Sequence, residues 1–183
     1  MMGKLFVVSG PSGAGKSTLT KDVVKKLDNL ELSISATTRK PRKGEKDNID
    51  YHFLDEKTFK QKIEEDGFLE YALVHGNFYG TLKDEVLKKI KAGKNLLLEI
   101  DVQGGIQIKE KFDDAVLIFI KAPSETELKE RLKKRDTDTE EVINLRLKNS
   151  LEELKYEKDY KYVIVNDNFE KALKKLGDLI LGN

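Results

Sequence analysis

The segment GPSGAGKS, residues 10–17, constrains the fold more than any other part of the chain. An apolar run of the kind that forms buried strands, residues 5–8, comes directly before it, and a helix-like stretch follows. Glycines let the backbone turn so that successive N–H groups point at one anion, and the following helix adds the positive end of its dipole. The segment therefore predicts a phosphate-binding loop, in which Lys16 reaches the β- and γ-phosphates of a nucleoside triphosphate and Ser17 binds Mg²⁺.

A glycine-rich turn that only caps a helix is the alternative interpretation of this segment. The residues after it, however, repeat their apolar side chains at the spacing of one helical face: Leu19, Val23, Val24 and Leu27. The strand-like run before the segment and the periodicity after it favour the phosphate-binding loop.

Size and charge limit the kinds of protein that this chain can be. A length of 183 residues allows one substantial core, so we expect a single domain that carries any extra elements as inserts. The net charge is only +1, which argues against a broad basic surface for nucleic acid. With no Cys, the chain has no disulfide and no thiolate ligand or nucleophile, which fits a cytoplasmic protein. No apolar run approaches the roughly 18 residues of a membrane span, and no signal peptide is recognisable, so we expect no membrane contact.

Apolar runs typical of buried strands recur along the chain, most of them separated by helix-like segments. They occupy residues 5–8, 32–37, 96–100, 116–120 and 162–165. The runs 96–98 and 116–120 do not alternate in polarity, as expected for strands covered on both faces. This order of elements predicts an α/β fold with a central parallel sheet flanked by helices.

The second half of the chain contains recognisable helix starts. Ser124 and Glu127 form a capping box, a second helix is predicted from about residue 139 to 158, and a last one begins after Asn168. The Lys-rich segment 83–91 is predicted to be an amphipathic helix with a solvated face rather than a binding patch.

Residues 35–81 break the pattern, because they hold short β-like pieces, a helix near 57–65 and most of the aromatic residues. We expect an inserted substrate-binding subdomain. Within it, Arg39 and Arg42 flank Pro41, which disfavours helix and keeps the loop extended. Such a loop can aim both guanidinium groups at one phosphate, to which Arg donates paired hydrogen bonds. A solvated basic loop is an equally open alternative.

Acidic residues occur at places suited to a substrate base or a metal ion. Glu70 is a carboxylate inside a strand-like apolar stretch, although it can also simply face water. Glu99 and Asp101 end a buried strand, at the sheet edge where ligands of α/β proteins gather. We interpret this pair as supplying a Mg²⁺-associated or base-binding carboxylate. Segment 77–81 places a glycine beside aromatics, which indicates either a binding turn or core anchors.

Three arginines, Arg131, Arg135 and Arg146, lie in or beside two predicted helices that the polar stretch 136–139 joins. Such a helix pair is typical of a mobile lid, whose arginines close over a transferring phosphoryl group. Ion pairs with glutamates of the same helices are the alternative for each arginine.

Taken together, these segments resemble guanylate kinases, in order and across essentially the whole chain. The matching parts are GPSGAGKST, SATTRKPRKGEKDNIDYHF, FLEYALVHGNFYGT, LEIDVQG, the three lid arginines and VIVNDN. The resemblance implies a P-loop NTPase fold in one domain over residues 1–183. Its expected parts are a core of about 1–34, 82–125 and 159–183, a GMP-binding subdomain of about 35–81 and a helical lid of about 126–158.

The resemblance also implies the reaction, the cofactor and the site residues. ATP would phosphorylate GMP to GDP with Mg²⁺ bound at Ser17, and dGMP is an expected further acceptor; His75 varies in the family and is interpreted as a loop residue. The implied catalytic residues are Lys16, Arg39, Arg131, Arg135 and Arg146. The implied ATP-binding residues are Gly10, Pro11, Ser12, Gly13, Ala14, Gly15, Lys16, Ser17, Thr18, Asn166 and Asp167. The implied GMP-binding residues are Ser35, Arg39, Arg42, Glu45, Tyr51, Glu70, Tyr79, Gly80, Thr81 and Asp101.

The chemistry of guanine fits these residue types. Guanine presents N1–H and N2–H₂ donors beside its O6 acceptor, so a carboxylate such as Glu70 can accept two hydrogen bonds that adenine does not supply. Two alternatives stay open at this point: a kinase for another nucleoside monophosphate or metabolite, and a non-catalytic guanylate-kinase-like binding module. The intact Gly15, Lys16 and Ser17 favour catalysis.

Overall fold

The structure is a computed structural model that describes residues 2–74, 76–134 and 139–182. Its strands are β1 Leu5–Ser9, β2 Leu30–Leu32, β3 Ser35–Thr37, β4 His52–Phe53, β5 Phe68–Val74, β6 Asn77–Leu82, β7 Asn95–Glu99, β8 Val116–Lys121 and β9 Tyr162–Val165. Its helices are α1 Lys16–Lys26, α2 Glu56–Glu64, α3 Lys83–Lys91, α4 Val102–Lys111, α5 Glu125–Lys133, α6 Glu140–Leu154 and α7 Phe169–Leu181, and a 3₁₀ helix covers Lys155–Asp159.

The central sheet is parallel, with the strand order β2-β7-β1-β8-β9. Successive residues of β1 are buried on opposite faces: Phe6 and Val8 belong to one apolar cluster, with side chains of α1 and α7. Leu5 and Val7 belong to a second cluster, with side chains of α3 and α4. Both faces are therefore covered by helices, as the non-alternating apolar runs predict. The predicted α/β architecture is confirmed.

The second sheet is small, mixed and built entirely from the segment 35–81 and Leu82, in the order β4-β3-β6-β5. A third apolar cluster joins it to α2 through Phe59 and Phe68, whose rings stack with centroids 4.3 Å apart. Strand β5 is linked to the core on its other side, where Gln107 of α4 exchanges two hydrogen bonds with the backbone of Tyr71.

The prediction of one strand over residues 32–37 is wrong. Strand β2 ends at Leu32, Ser33 still donates its N–H to Leu97 of the central sheet, and β3 then begins at Ser35 in the other sheet. The chain crosses between sheets because Ser35 pairs with Thr81 of β6 rather than with β7. The predicted helix over 139–158 likewise ends earlier, at Leu154, before the 3₁₀ turn.

Helices α5 and α6 pack against each other through a separate small apolar cluster that includes Leu128, Leu132 and Ile143. Ser124 caps α5 as the sequence predicts, because its side chain accepts a hydrogen bond from the Glu127 N–H at 3.1 Å. No helix in the described part of the chain has the length and apolar character that a membrane crossing requires.

Candidate active site

The predicted phosphate-binding loop lies between β1 and α1. Gly15 caps α1 in the left-handed conformation, with φ of 88°, and a Cβ there would lie 2.4 Å from the Asn166 side-chain nitrogen. Only glycine combines that φ with such a close approach. The Asn166 side chain in turn donates to the Ala14 carbonyl at 2.9 Å and is buried. The Asn166 side chain therefore holds the loop in place through this hydrogen bond to its backbone.

Lys16, the first residue of α1, bends back over the loop. Its Nζ donates to the carbonyl oxygens of Gly10, at 2.5 Å, and Pro11, at 3.0 Å. The ammonium group thus stands at the mouth of the loop, where it can exchange these neutral acceptors for phosphate oxygens.

Ser17 and Thr20 share one carboxylate. Their hydroxyl groups donate to Glu99 at 2.5 Å and 2.9 Å respectively. Glu99 ends β7, whose register with β1 sets Val8 opposite Glu99. Hydroxyl and carboxylate oxygens beside a phosphate site are the ligands that Mg²⁺ prefers, so these residues fit that ion. The described residues contain no group of three or more His, Cys, Asp or Glu side chains suited to a metal.

The loop of the two arginines is held by Glu45. Arg39 donates Nη1 and Nη2 to the two carboxylate oxygens of Glu45, at 3.0 Å and 2.9 Å, and the Arg42 backbone N–H donates to the same carboxylate at 2.7 Å. The hydrogen bonds from Arg39 keep the pKa of Glu45 below its usual range. The Arg39 guanidinium also lies 5.3 Å from the centre of the Tyr51 ring. The Arg42 residue is exposed, so the structure fixes one of the two arginines and leaves the other at the surface.

Glu70 lies inside the molecule rather than in water. Its side chain is 3% exposed, and Thr81 donates its hydroxyl to Oε1 at 2.6 Å. Burial raises the pKa of Glu70 to about 7, which the Thr81 hydrogen bond opposes and the nearby Asp101 charge reinforces. The antiparallel pairing of β3 with β6 brings Ser35 opposite Thr81, and Ser35 lines the same cavity as Glu70.

Asp101 is the N-cap of α4. Its side chain accepts a hydrogen bond from the Gly104 N–H at 2.8 Å, and burial raises its pKa. The N-terminal turn of α4 thus faces the small sheet, with Asp101 and Glu70 on neighbouring elements.

One cavity of about 330 Å³ is lined by residues of the phosphate-binding loop together with Glu70, Glu99 and Asp101. Of the residues predicted from the sequence, it is lined by Gly10, Ser12, Gly13, Gly15, Lys16, Ser17, Thr18, Ser35, Tyr51, Glu70, Tyr79, Gly80 and Asp101. The predicted residues that do not line it are Pro11, Ala14, Arg39, Arg42, Glu45, Thr81, Arg131, Arg146, Asn166 and Asp167. Arg135 and His75 lie outside the described residues.

Two of the three arginines predicted for the lid are described, Arg131 on α5 and Arg146 on α6. Arg131 donates Nε to Glu127 of the same helix and Nη2 to the Asn166 carbonyl, both at 2.8 Å. The alternative of an ion pair within the helix is thus present for Arg131, together with a link to the strand-end residue that braces the phosphate loop. Arg146 is half-buried on α6.

Two further carboxylates line the cavity, Glu99 and Glu153. Sequence reasoning singled out Glu99 together with Asp101, because Glu99 ends the strand next to β1 at the sheet edge where ligands gather, but it missed Glu153. Glu153 lies near the end of α6, and only the packing of that helix against the phosphate loop brings it into the cavity. No local pattern distinguishes it from its exposed neighbour Glu152.

Comparisons with known proteins agree with this geometry. The family model described as guanylate kinase matches residues 2–182. The chain is 56% identical to the guanylate kinase of Fusobacterium nucleatum subsp. nucleatum, over 98% of this chain and 96% of the relative. It is 51% identical to that of Clostridium perfringens strain 13, over 98% of this chain and 83% of the relative. The crystal structure of guanylate kinase from Anaplasma phagocytophilum superposes with a TM-score of 0.82 at 31% identity, covering 99% of this chain and 86% of that one. The chain belongs to the guanylate kinase family.

Proposed function

We propose that this protein transfers the γ-phosphoryl group of ATP to the phosphate of GMP, forming ADP and GDP. The observation that carries the proposal is the shared cavity, which residues of the phosphate-binding loop and the buried Glu70 both line. A site for a donor triphosphate and a site for a base with its own phosphate are thus open to each other.

On the donor side, the N–H groups of residues 10–17 and the N-terminus of α1 would bind the phosphates of ATP. Lys16 would leave the Gly10 and Pro11 carbonyls to pair with the β- and γ-phosphates. Ser17, with its hydroxyl hydrogen-bonded to Glu99, would hold Mg²⁺, which would supply positive charge to neutralise the phosphates. Asp167, after the last strand, would lie near the adenine, whereas Asn166 contributes by bracing the loop.

On the acceptor side, Arg39, Arg42, Tyr51 and Tyr79 would bind the phosphate of GMP. The Arg39 side chain is already ordered before GMP binds, because its guanidinium forms a salt bridge with Glu45 and lies against the Tyr51 ring. Glu45 accordingly acts on GMP through Arg39, as a positioning residue. An ordered guanidinium loses less conformational entropy on binding than a free one.

The base would be read by Glu70 with Ser35, Gly80, Thr81 and Asp101. The ionised Glu70 carboxylate accepts hydrogen bonds from guanine N1–H and N2–H₂. Adenine offers an acceptor at the first of these positions, and a buried carboxylate left unpaired costs about 1–3 kcal/mol or more. Glu70 thereby favours GMP over AMP.

Little covalent chemistry is required of the protein. The acceptor phosphate is ionised near neutral pH, so no general base is needed, and catalysis rests on alignment and charge stabilisation. Lys16 and the lid arginines Arg131, Arg135 and Arg146 would stabilise the charge on the transferring group. We propose that the subdomain of about 35–81 and the lid of about 126–158 close on the core, and so exclude water from the reaction. A cytoplasmic location stays a prediction.

A panel of acceptors tests the function directly. Purified protein with ATP and Mg²⁺ is given GMP, dGMP, AMP, CMP or UMP in turn, and ADP release is measured. We expect turnover with GMP and, more weakly or equally, with dGMP. Preference for AMP or a pyrimidine nucleotide would indicate a different kinase, and GMP binding without GDP formation would indicate a binding module.

A further inference from the structure

Two consecutive residues near the start of helix α4 are glycines, Gly104 and Gly105, and both are buried. Glycine inside a helix lowers stability by roughly 0.5–1 kcal/mol relative to alanine. On helix propensity alone, alanine would be the better residue at both positions. The reason for glycine must therefore come from what lies beside each of them.

At Gly104 the neighbour is the Glu70 carboxylate. A Cβ on Gly104 would lie 2.3 Å from Oε2 of Glu70 and 2.9 Å from its Cδ. Both distances are far below van der Waals contact, so the carboxylate occupies the space that a side chain would fill.

The Glu70 side chain has little freedom to move away. It is 3% exposed, and its other oxygen, Oε1, accepts the Thr81 hydroxyl at 2.6 Å. Turning the carboxylate away from Gly104 would strain or break that hydrogen bond and carry the group into the cavity that it lines, away from its present place.

Gly104 also contacts the second acid of the acceptor site. Its N–H donates to Asp101 Oδ1 at 2.8 Å. The backbone N–H of Gly104 thus holds Asp101 in place, and the lack of a side chain on Gly104 leaves room for the Glu70 carboxylate.

We infer that Gly104 is a specificity-determining position of the acceptor site, where the absence of a side chain fixes the place of the Glu70 carboxylate and hence the selection of guanine. The inference rests on the proposed function, since it assigns a reason for the preference for GMP. Gly104 is a positioning residue, because it acts through Glu70 and Asp101.

Gly105 offers a matched control. A Cβ there would lie 2.0 Å from the Tyr160 hydroxyl, on the side of α4 that faces the core, and Glu70 is not among its close neighbours. Gly105→Ala therefore crowds the same helix with the same methyl group, away from the acceptor carboxylate.

The experiment is a double-mutant cycle between residues 70 and 104, with KM and kcat measured for GMP at saturating ATP. Gly104→Ala should raise KM for GMP about 10- to 100-fold, as expected when a buried charged acceptor is misplaced, and leave KM for ATP unchanged. Glu70→Asp should also raise KM for GMP, because the carboxylate is withdrawn by one methylene. In Glu70→Asp/Gly104→Ala the shorter side chain clears the new methyl group, so the loss should be clearly smaller than the product of the single losses. Gly105→Ala should lower Tm while leaving KM for GMP within about threefold of wild type.

Two results would overturn the inference: a Gly104→Ala variant with the wild-type KM for GMP, or single losses that simply multiply in the double variant. If Gly104→Ala fails to fold, the double variant and Glu70→Asp still decide. A folded double variant whose KM for GMP lies far above that of Glu70→Asp would show that shortening residue 70 does not relieve the added methyl group, and hence that the two positions are not coupled. The wild-type protein in the same assay tests the proposed function separately, since its failure to phosphorylate GMP rejects that function whatever the cycle shows.

Discussion

At the scale of single residues, Glu70 links acceptor binding to pH. Burial raises the pKa of its carboxyl group to about 7. Only the ionised form accepts both hydrogen bonds from guanine, so GMP binding should weaken as the pH falls below about 7. We expect KM for GMP to rise up to about tenfold per pH unit in that range, while KM for ATP changes much less. The pH profile of both constants between pH 5.5 and 8.5 measures this.

Glu70→Gln is the control for the pH profile, because the phosphate of GMP itself titrates near pH 6. The variant should bind GMP weakly at all pH values and show only the phosphate ionisation. The free energy of unfolding gives a second check on the ligand-free protein. Since the folded pKa is raised above the ordinary value of 4.5, the protonated carboxyl stabilises the folded state at low pH, and this contribution is lost as the pH rises toward 7. A wild-type KM profile that matches the Glu70→Gln profile would contradict the assignment.

Lys16 allows a prediction about catalysis alone. Lys16→Ala removes the cation that would stabilise the transferring phosphoryl group, and we expect kcat to fall by about 10²- to 10³-fold. GMP binding should change little, because Glu70 and Arg39 are untouched. Steady-state kinetics and equilibrium dialysis of GMP separate the two effects, and an unchanged kcat would reject the role given to Lys16.

At the scale of secondary-structure elements, α6 contacts the phosphate-binding loop at Ser12. Ser150 donates its hydroxyl to the Ser12 carbonyl at 3.4 Å. Burial raises the pKa of Glu153, and the Ser12 backbone N–H, which faces that carboxylate, partly offsets the rise. The loop also packs under α5, because a Cβ on Gly13 would lie 3.2 Å from Leu128. Helices α5 and α6 therefore both contact the loop whose residues would surround the γ-phosphate.

Glu153→Ala should consequently weaken ATP use. We expect kcat/KM for ATP to fall about 5- to 50-fold through the lost contact between the carboxylate and the phosphate-binding loop, with KM for GMP near wild type. Glu153→Gln should retain most activity, because an amide oxygen still accepts from Ser12. Glu152→Ala is the matched control, since Glu152 is exposed on the same turn and pairs with Lys155. Equal kinetics for the alanine variants at 152 and 153 would show that α6 does not act through Ser12.

The elements also show which parts of the structure sequence reasoning reaches. The strands of the central sheet were predictable, because residues such as Val7 and Ile118 belong to unbroken apolar runs that only a doubly covered sheet accommodates. The split between β2 and β3 was not, because it depends on pairing with Thr81, nearly fifty residues away. The burial of Glu70 was left open for the same reason, since α4 and β6 supply its surroundings. Local sequence patterns therefore predict the individual strands and helices, but they do not predict the contacts between residues distant in sequence that complete the site.

At the scale of the whole molecule, the cavity is built from three parts of the fold. The loop of the central sheet, the small sheet and α6 each contribute lining residues, represented by Lys16, Tyr79 and Glu153. Because these parts belong to different elements of the fold, a movement of the small sheet and of α6 toward the central sheet would close the cavity around its substrates. Binding of either substrate should therefore favour an arrangement that also suits the other.

The absence of cysteine makes this closure measurable, because two introduced thiols are the only sites for spin labels or fluorophores. Exposed lysines provide positions: Lys57 on α2, Lys148 on α6 and Lys174 on α7. With ADP, Mg²⁺ and GMP, which do not turn over, we expect the distance between labels at 57 and 148 to shorten by several ångströms. GMP alone should change mainly the distance between the labels at 57 and 174, because α2 packs against the small sheet and α7 against the central sheet. ADP alone should change mainly the distance between 148 and 174. Distances that stay constant within error under all three conditions would mean that the cavity is already complete, and that catalysis requires no closure of the small sheet or of the lid.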